Sequence, residues 1–480
     1  MPDCRLLSST HHGVIATLLC TAVFGGQPAV PRLEEVVVTA TRIAESAADL
    51  PYATVVLGAD ALQQLAPRTL PETLREESSI MVQKTALGQG SPFIRGFTGF
   101  RTVLLVDGFR LNNSVFRDGP NQYWNTVDPW SLEQLELVKG PTSAQYGSDA
   151  VGGTVQAHTI RPRFVGDRPE AFVDTAFRFS SAEHSQIARL AAGGGLGDAT
   201  AFVLGTTRKD FGDLRAGGST GRQAHTGYDE TDFDFKLEHR FTPHARLTLA
   251  HQGVAQDDVW RTHATVHGLA WRGTRPGTNL IRALDQGRRL SYAQLDADGF
   301  AGALRELHLG IAHHRQTEDE FRQRANRRVE RGGFDVATLG AYAHGQWATT
   351  SGRWVAGADF YRDQVDSYLR EYDASGSLAT VRVQGPVADD ATYDLAGLFA
   401  EDRLRLAPRL DATIGARLNH TRVAANKVAT PGTGAAFALS SRTTSFAGNG
   451  RLMYTVDSAA RWRVFGGVSQ GVRAPNLSDL

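Results

Sequence analysis

The sequence predicts a mainly β protein: a compact N-terminal α+β domain, then a long antiparallel transmembrane β-barrel that does not close. Three observations carry this. Past the N-terminus, no apolar run reaches the roughly 20 residues that a membrane-spanning helix needs. From Ala171 onward apolar and polar residues alternate with period two, so each strand has one greasy face and one wet face. The links between these strands, after the first, are short and long by turns. That parity puts tight turns on one side and long loops on the other, as outer-membrane barrels do and a β-sandwich has no reason to do.

Residues 1–28 have the layout of a secretory signal peptide: Arg5, an apolar stretch over 13–24, then the small residues Gly25, Gly26 and Ala29. Both cysteines, Cys4 and Cys20, fall here, so the exported chain has no thiol for a disulfide, a zinc site or cysteine catalysis. Basic and acidic residues number 51 each, and no charge excess points to nucleic acid. Residues 29–51 form a polar, extended segment around the β-branched run Val36, Val37, Val38 and Thr39.

Residues 52–162 mix short helical and strand signals. A helix is expected near Pro71, with Glu72 and Leu74 in its first turn, and strands at 102–107 and 134–138. Residues 171–480 carry thirteen expected strands, from 171–180 to 461–469. In 231–241, Phe233, Phe235, Leu237 and Phe241 share one face, and Asp232, Asp234, Lys236, Glu238 and Arg240 the other. Short links are read at 194–198, 242–244, 300–302, 348–352, 407–409 and 456–460, and long ones at 209–230, 255–287, 315–335, 362–392 and 421–444.

A run of motifs then carries a family resemblance. Glu34-Glu35-Val36-Val37-Val38-Thr39-Ala40 looks like a TonB box. Ile94-Arg95-Gly96-Phe97, Val103-Leu104-Leu105-Val106-Asp107-Gly108, Asp128-Pro129, Leu132 to Pro141 and Tyr146 to Gly153 follow in the order and spacing of a receptor plug. Together they resemble the TonB-dependent outer-membrane receptors. The resemblance implies active transport across the outer membrane, through a barrel of about 22 strands whose wide lumen a plug fills. It implies outer-membrane lipid around the wall, and a partner, TonB with its ExbB/ExbD energy system. TonB would pair with Glu35, Val36, Val37, Val38, Thr39 and Ala40 by strand addition; the bland alternative is an edge strand without a partner.

Arg95 and Arg101 stand in an apolar stretch. They either bond to acidic residues of the barrel wall, Glu401 among them, or are ordinary surface arginines. In this fold the polar and aromatic loop 112–124 faces the extracellular vestibule, so Arg117, Asn121, Gln122, Tyr123 and Trp124 are ligand-contact candidates. Tyr123 and Trp124 have an equal claim to packing the plug against the wall. The ligand expected first is an iron complex, a ferric siderophore. Haem is the alternative, because Val472-Arg473-Ala474-Pro475 resembles a haem-receptor box and His263 and His267 lie in a long loop; another scarce nutrient comes third. No bound cofactor or resident metal is implied. A passive porin or an adhesin needs neither the TonB box nor a plug, and no clustered Ser, His and acid motif points to an enzyme. The chain stops at Leu480, just past the Arg-Ala-Pro box, so it is expected to be a fragment with an open wall.

Overall fold

The computed structural model describes residues 37–38, 42–166, 169–270, 273–350, 352–459 and 461–479. The leader and the box residues Glu35, Val36, Thr39 and Ala40 lie outside the described residues. Val37–Val38 are an extended pair, laddered antiparallel to Glu45–Ser46.

The N-terminal domain is built on a five-stranded sheet. Its strands are β1 (Ala53–Gly58), β4 (Val103–Val106), β5 (Phe109–Arg110), β6 (Leu132–Lys139) and β7 (Gly153–Thr159). A separate hairpin is made by β2 (Ile80–Ala86) and β3 (Gln89–Ile94). The sheet order is β1-β6-β7-β4-β5, antiparallel except where β4 runs parallel to β7. All four residues of β4 are buried, which is why it reads as an unbroken apolar run. Asp107 and Gly108 close β4 onto β5 with φ of +47° and +85°, the two positive values that an Asp-Gly hairpin turn supplies.

Two helices belong to the domain, α1 (Ala59–Leu65) and α2 (Ser143–Tyr146). The helix expected at Pro71 is instead a single 3-10 turn, Leu70–Leu74, with Pro71 in its first turn. Beyond Leu74 the sequence offers Arg75, Glu76, Glu77, Ser78 and Ser79, with no apolar face to bury, so the turn does not propagate.

The second unit is one antiparallel wall of strands in chain order. These are β8 (Glu170–Ser180), β9 (Ser185–Leu196), β10 (Thr200–Phe211), β11 (Tyr228–Thr242), β12 (Ala245–Trp260), β13 (Asn279–Asp298) and β14 (Leu304–Arg324). They continue as β15 (Val329–Ala348), β16 (Gly352–Tyr372), β17 (Asp389–Ala407), β18 (Leu410–Ala429), β19 (Ala436–Thr455) and β20 (Arg463–Ser469). All thirteen expected strands are present, with the short links where expected. Several run further into the long loops than the alternation indicates: β14 reaches Arg324 and β16 reaches Tyr372. Above the greasy belt the outward residues become charged, as in the cross-strand pairs Arg315–Asp335 and Arg362–Asp394. The ladder bonds persist there although the apolar signal has ended.

The wall is inside-out relative to a soluble protein. Phe233 is 42 % exposed on the outer face while its neighbour Asp232 is 2 % exposed on the inner one. Ile414, Leu418 and Phe446 are likewise exposed, and Arg417 and Asn419 buried. A charged lumen and an apolar exterior are what lipid outside and a polar filling inside require. The filling is the N-terminal domain, which together with the segment just before it hydrogen-bonds to every strand from β10 to β19. Among the described residues no ladder joins β8 to β20, so the sheet stays open. No helix of the described residues is long and apolar enough to cross a membrane, which says nothing of strands.

Candidate functional site

The plug is held by buried polar clusters at successive heights of the lumen. Asp128 caps the turn Pro129–Ser131 by accepting the Trp130 N–H at 3.1 Å. Its carboxylate also meets Lys209 Nζ at 2.9 Å and the Thr207 hydroxyl at 2.7 Å. Lys209 is at the same time 2.5 Å from Glu230 and 2.9 Å from Asp232. Burial alone would raise the Asp128 carboxyl, but Lys209 and Arg189 outweigh it and hold it below the ordinary carboxylate range. Nearby, Asp107 accepts from the Thr159 backbone N–H at 2.9 Å, the Thr159 hydroxyl at 2.6 Å and the Tyr292 hydroxyl at 2.8 Å.

On the short-turn side the segment that follows the Val37–Val38 pair is laced to the wall. The Arg42 guanidinium reaches Asp359 at 2.8 Å and the Gln145 carbonyl at 3.0 Å, and Arg417 grips the same Asp359 at 2.5 Å. His344 Nε2 lies 2.8 Å from the Arg42 carbonyl oxygen. Glu45 pairs with Arg353 and Arg403, Asp49 with Arg463 at 3.0 Å, and the Pro51 carbonyl accepts from Arg451 at 3.3 Å. Glu401 accepts from Gln145 Nε2 at 2.7 Å and lies 3.5 Å from the Tyr52 hydroxyl. Beside this lacing a cavity of about 310 Å³ opens between plug and wall, lined by Arg42, Asp107, Lys236, Glu238, His308 and Tyr342.

On the long-loop side the plug apex leans on the wall. Glu318 accepts from Arg117 at 2.8 Å and from Gln122. The Ser114 N–H donates to Asp363 at 2.7 Å, and Asn113 to Gln316 at 2.8 Å. Tyr123 and Trp124 are fully buried, Tyr123 against Phe116 with ring centroids 4.6 Å apart. Of the five ligand-contact candidates the structure thus ties Arg117 and Gln122 to one wall carboxylate and buries Tyr123 and Trp124 as packing. Asn121 lines an open space. That space is a cavity of about 210 Å³, lined also by Gln83, Gln89, Pro120, Arg261 and His263.

Two plug–wall expectations need correction. Arg101 pairs with Asp118 of the plug's own apex, not with the wall. Arg95 is exposed, and a Cβ added to plug residue Gly140 would come within 2.8 Å of its Nη1. With a φ of +51° it turns the chain out of β3, so its side chain runs over the plug instead of reaching outward. Among the charged side chains that do reach the wall are Arg42, Asp107, Arg117 and Asp128. Asp107 and Asp128 lie within the quoted motifs and were legible only as motif letters. Asp359 and Arg417 were legible only as polar positions of an alternating strand, and Lys209, read as the start of a long link, belongs to the strand Thr200–Phe211.

A wall greasy outside and charged inside, filled by its own leading domain through buried ion pairs, defines a plugged outer-membrane barrel protein. The family model described as TonB-dependent Receptor Plug Domain matches residues 46–154, and that for the TonB dependent receptor-like beta-barrel matches 174–480. The chain belongs to the TonB-dependent receptor family, whose members are outer-membrane receptors and transporters and not enzymes. A vitamin B12 transporter of Vibrio vulnificus (strain CMCP6) is 30 % identical over 148 residues, which is 30 % of this chain and 24 % of that protein. Among solved structures, the copper transporter OprC superposes with a TM-score of 0.74 at 16 % identity, over 89 % of this chain and 64 % of its own. The ferric yersiniabactin uptake receptor FyuA of Yersinia pestis gives 0.68 at 14 % identity, over 88 % and 64 %. At such identities the likeness is one of fold. The chain spans less than two thirds of these relatives.

Proposed function

We propose that the protein takes part in TonB-energised import of a scarce nutrient across the outer membrane, and that this nutrient is an iron complex, a ferric siderophore. The observation that carries the reading is polarity along the lumen: the Val37–Val38 pair and the lacing of 42–52 lie on the short-turn side, and the plug apex with its open cavity on the long-loop side. A pull from the periplasm and a ligand from outside would thus act on opposite ends of one plug. In this reading residues 1–28 are the export signal, 29–51 the TonB-contacting segment, 52–162 the plug and 171–480 the wall. TonB, with ExbB/ExbD behind it, pairs with Glu35 to Ala40.

The siderophore reading is favoured over haem by two placements. Val472-Arg473-Ala474-Pro475 packs on the plug: the Asp149 N–H donates to the Val472 carbonyl at 3.0 Å, and the Arg473 guanidinium sits 3.5 Å from the Phe100 ring centroid. His267 is occupied by the rings of His225 and Trp260, at 4.4 and 6.0 Å. Growth of a deletion strain on single iron sources tests the choice: loss on a ferric siderophore is expected, and loss on haem alone would reverse it. Replacing Val37 with proline, which removes a backbone donor from the strand, is expected to abolish uptake while leaving export intact. Wild-type uptake in that variant would count against TonB pairing at this segment.

A further inference from the structure

We propose that the lipid-facing side of the wall carries a seat for the phosphate of an outer-leaflet glycolipid, formed by Arg362, Arg422 and Arg442. The inference concerns what the wall holds, not what passes through it, and so goes beyond the transport reading. The seat spans four neighbouring strands, β16 to β19, in one row of directly opposed residues: Arg362 faces Asp394, Asp394 faces Arg422, and Arg422 faces Arg442. These side chains share the outward parity of Leu398, Leu418 and Phe446, which are 61 %, 50 % and 59 % exposed. They lie further along the same strands, towards the long loops.

The row is short of acid. Its one carboxylate, Asp394, accepts two hydrogen bonds from Arg362, at 2.6 and 2.9 Å. Arg422 and Arg442 are exposed, and among the described residues neither side chain has an ion pair or a hydrogen bond. Three guanidinium groups against one carboxylate leave the row with two positive charges in excess. Like charges set directly opposite on neighbouring strands destabilise a sheet. The next row towards the loops gives no relief, being Gln364, Thr392, Ala424 and Ser440. The outward acids beyond it, Asp366 and Asp390, stand four residues further up their strands, a distance of about 13 Å. An anion bound at Arg422 and Arg442 removes the repulsion.

Position and charge name the anion. The row below is Phe360, Ala396, His420 and Thr444, with His420 Nδ1 3.0 Å from the Thr444 hydroxyl, and beneath it the greasy belt begins. The arginines therefore stand where headgroups meet acyl chains, on the side that faces out of the cell. A lipid sets its phosphate on them and lays its chains along Leu398, Leu418 and Phe446, whereas a soluble anion gains only the first contact. Guanidinium forks match phosphate oxygens in pairs. A phosphate monoester carries about 1.5 to 2 negative charges at neutral pH, which suits the excess of the row; a phospholipid diester carries one. A glycolipid phosphorylated on its sugars, lipid A, supplies the monoester.

The test uses the purified chain in non-ionic detergent, with bound lipid counted by native mass spectrometry. It is titrated with lipid A carrying its phosphates and with the same lipid after their removal. The phosphorylated form is expected to bind at least about tenfold tighter, a difference of about 1.4 kcal/mol. Arg422→Gln combined with Arg442→Gln should erase that preference, and Arg422→Lys combined with Arg442→Lys should keep most of it. Arg208→Gln, from an exposed outward pair with Asp229, should leave it unchanged. Equal affinities for the two forms, an unchanged preference in the double glutamine variant, or an equal loss in Arg208→Gln would each overturn the seat. Phosphatidylglycerol binding as tightly as phosphorylated lipid A, or inorganic phosphate displacing that lipid, would overturn it too, by marking a general anion site. Binding here needs neither TonB nor a nutrient, so the transport reading stands or falls separately, on uptake in cells.

Discussion

Lys209 brings a single positive charge into contact with carboxylates from both partners, Asp128 of the plug and Glu230 and Asp232 of the wall. Removing one member of such a buried set leaves the others uncompensated, which costs about 3–5 kcal/mol. Lys209→Met is therefore expected to lower the urea midpoint of the folded protein in detergent by a corresponding amount, whereas Arg208→Met, from an exposed pair with Asp229, should change it little. Glu72 offers a pH-dependent counterpart. Burial pushes its carboxyl up, but Lys84 and Arg68 overcome this and hold it at about 2 against an ordinary 4.5. A depressed carboxyl contributes stability above its unfolded value and loses it as pH falls through the folded one. The tie from the Leu70–Leu74 turn to the β2–β3 hairpin through Lys84 should thus be complete above pH 4.5 and gone near pH 2. Thermal unfolding of wild type and Glu72→Gln should differ at neutral pH and converge at the acid end.

At the scale of elements, α2 and the strand beneath it fit without spare room. Gly147 ends α2 with a φ of +74°, and a Cβ there would stand 2.5 Å from Asn419 Oδ1 and 2.7 Å from Arg417 Nε. Gly147→Ala is expected to cost about 1–3 kcal/mol and to loosen Arg417 from Asp359. Faster proteolysis of the plug in the folded protein would register it, and an unchanged rate would argue against so tight a seat. The wall strands were legible because period-two alternation and loop parity are local and repeated. The Leu70–Leu74 turn was not, since a proline and two leucines look alike at the start of a long helix and of a single turn. Site pairings were harder still. Arg101 stands among neutral residues and Lys209 between Arg208 and Asp210, and nothing in the sequence says that one finds Asp118, 17 residues on, and the other Asp128, across the lumen. Asn121 was legible as an apex residue. Its place on the cavity became visible only once its neighbours had taken their partners.

At the scale of the whole molecule, the open sheet leaves two strand edges, β8 and β20, whose outer ladder groups have no neighbour among the described residues. Outward residues of β20 add to this, Val468 being 77 % exposed. Unpaired edges of this kind recruit further strands. The chain alone is expected to self-associate in detergent, and a monodisperse monomer by light scattering would contradict that. The lacing of residues 42–52 has a mechanical consequence as well. Its anchors follow one another along the backbone, from Arg42 on Asp359 through Glu45 and Asp49 to Tyr52 near Glu401, each on its own wall residues. Tension entering from the N-terminal end loads the first anchor before the next feels any strain, so the seam unzips stitch by stitch. The peak force is then that of one stitch, while the assembled seam resists thermal escape with the strength of all of them.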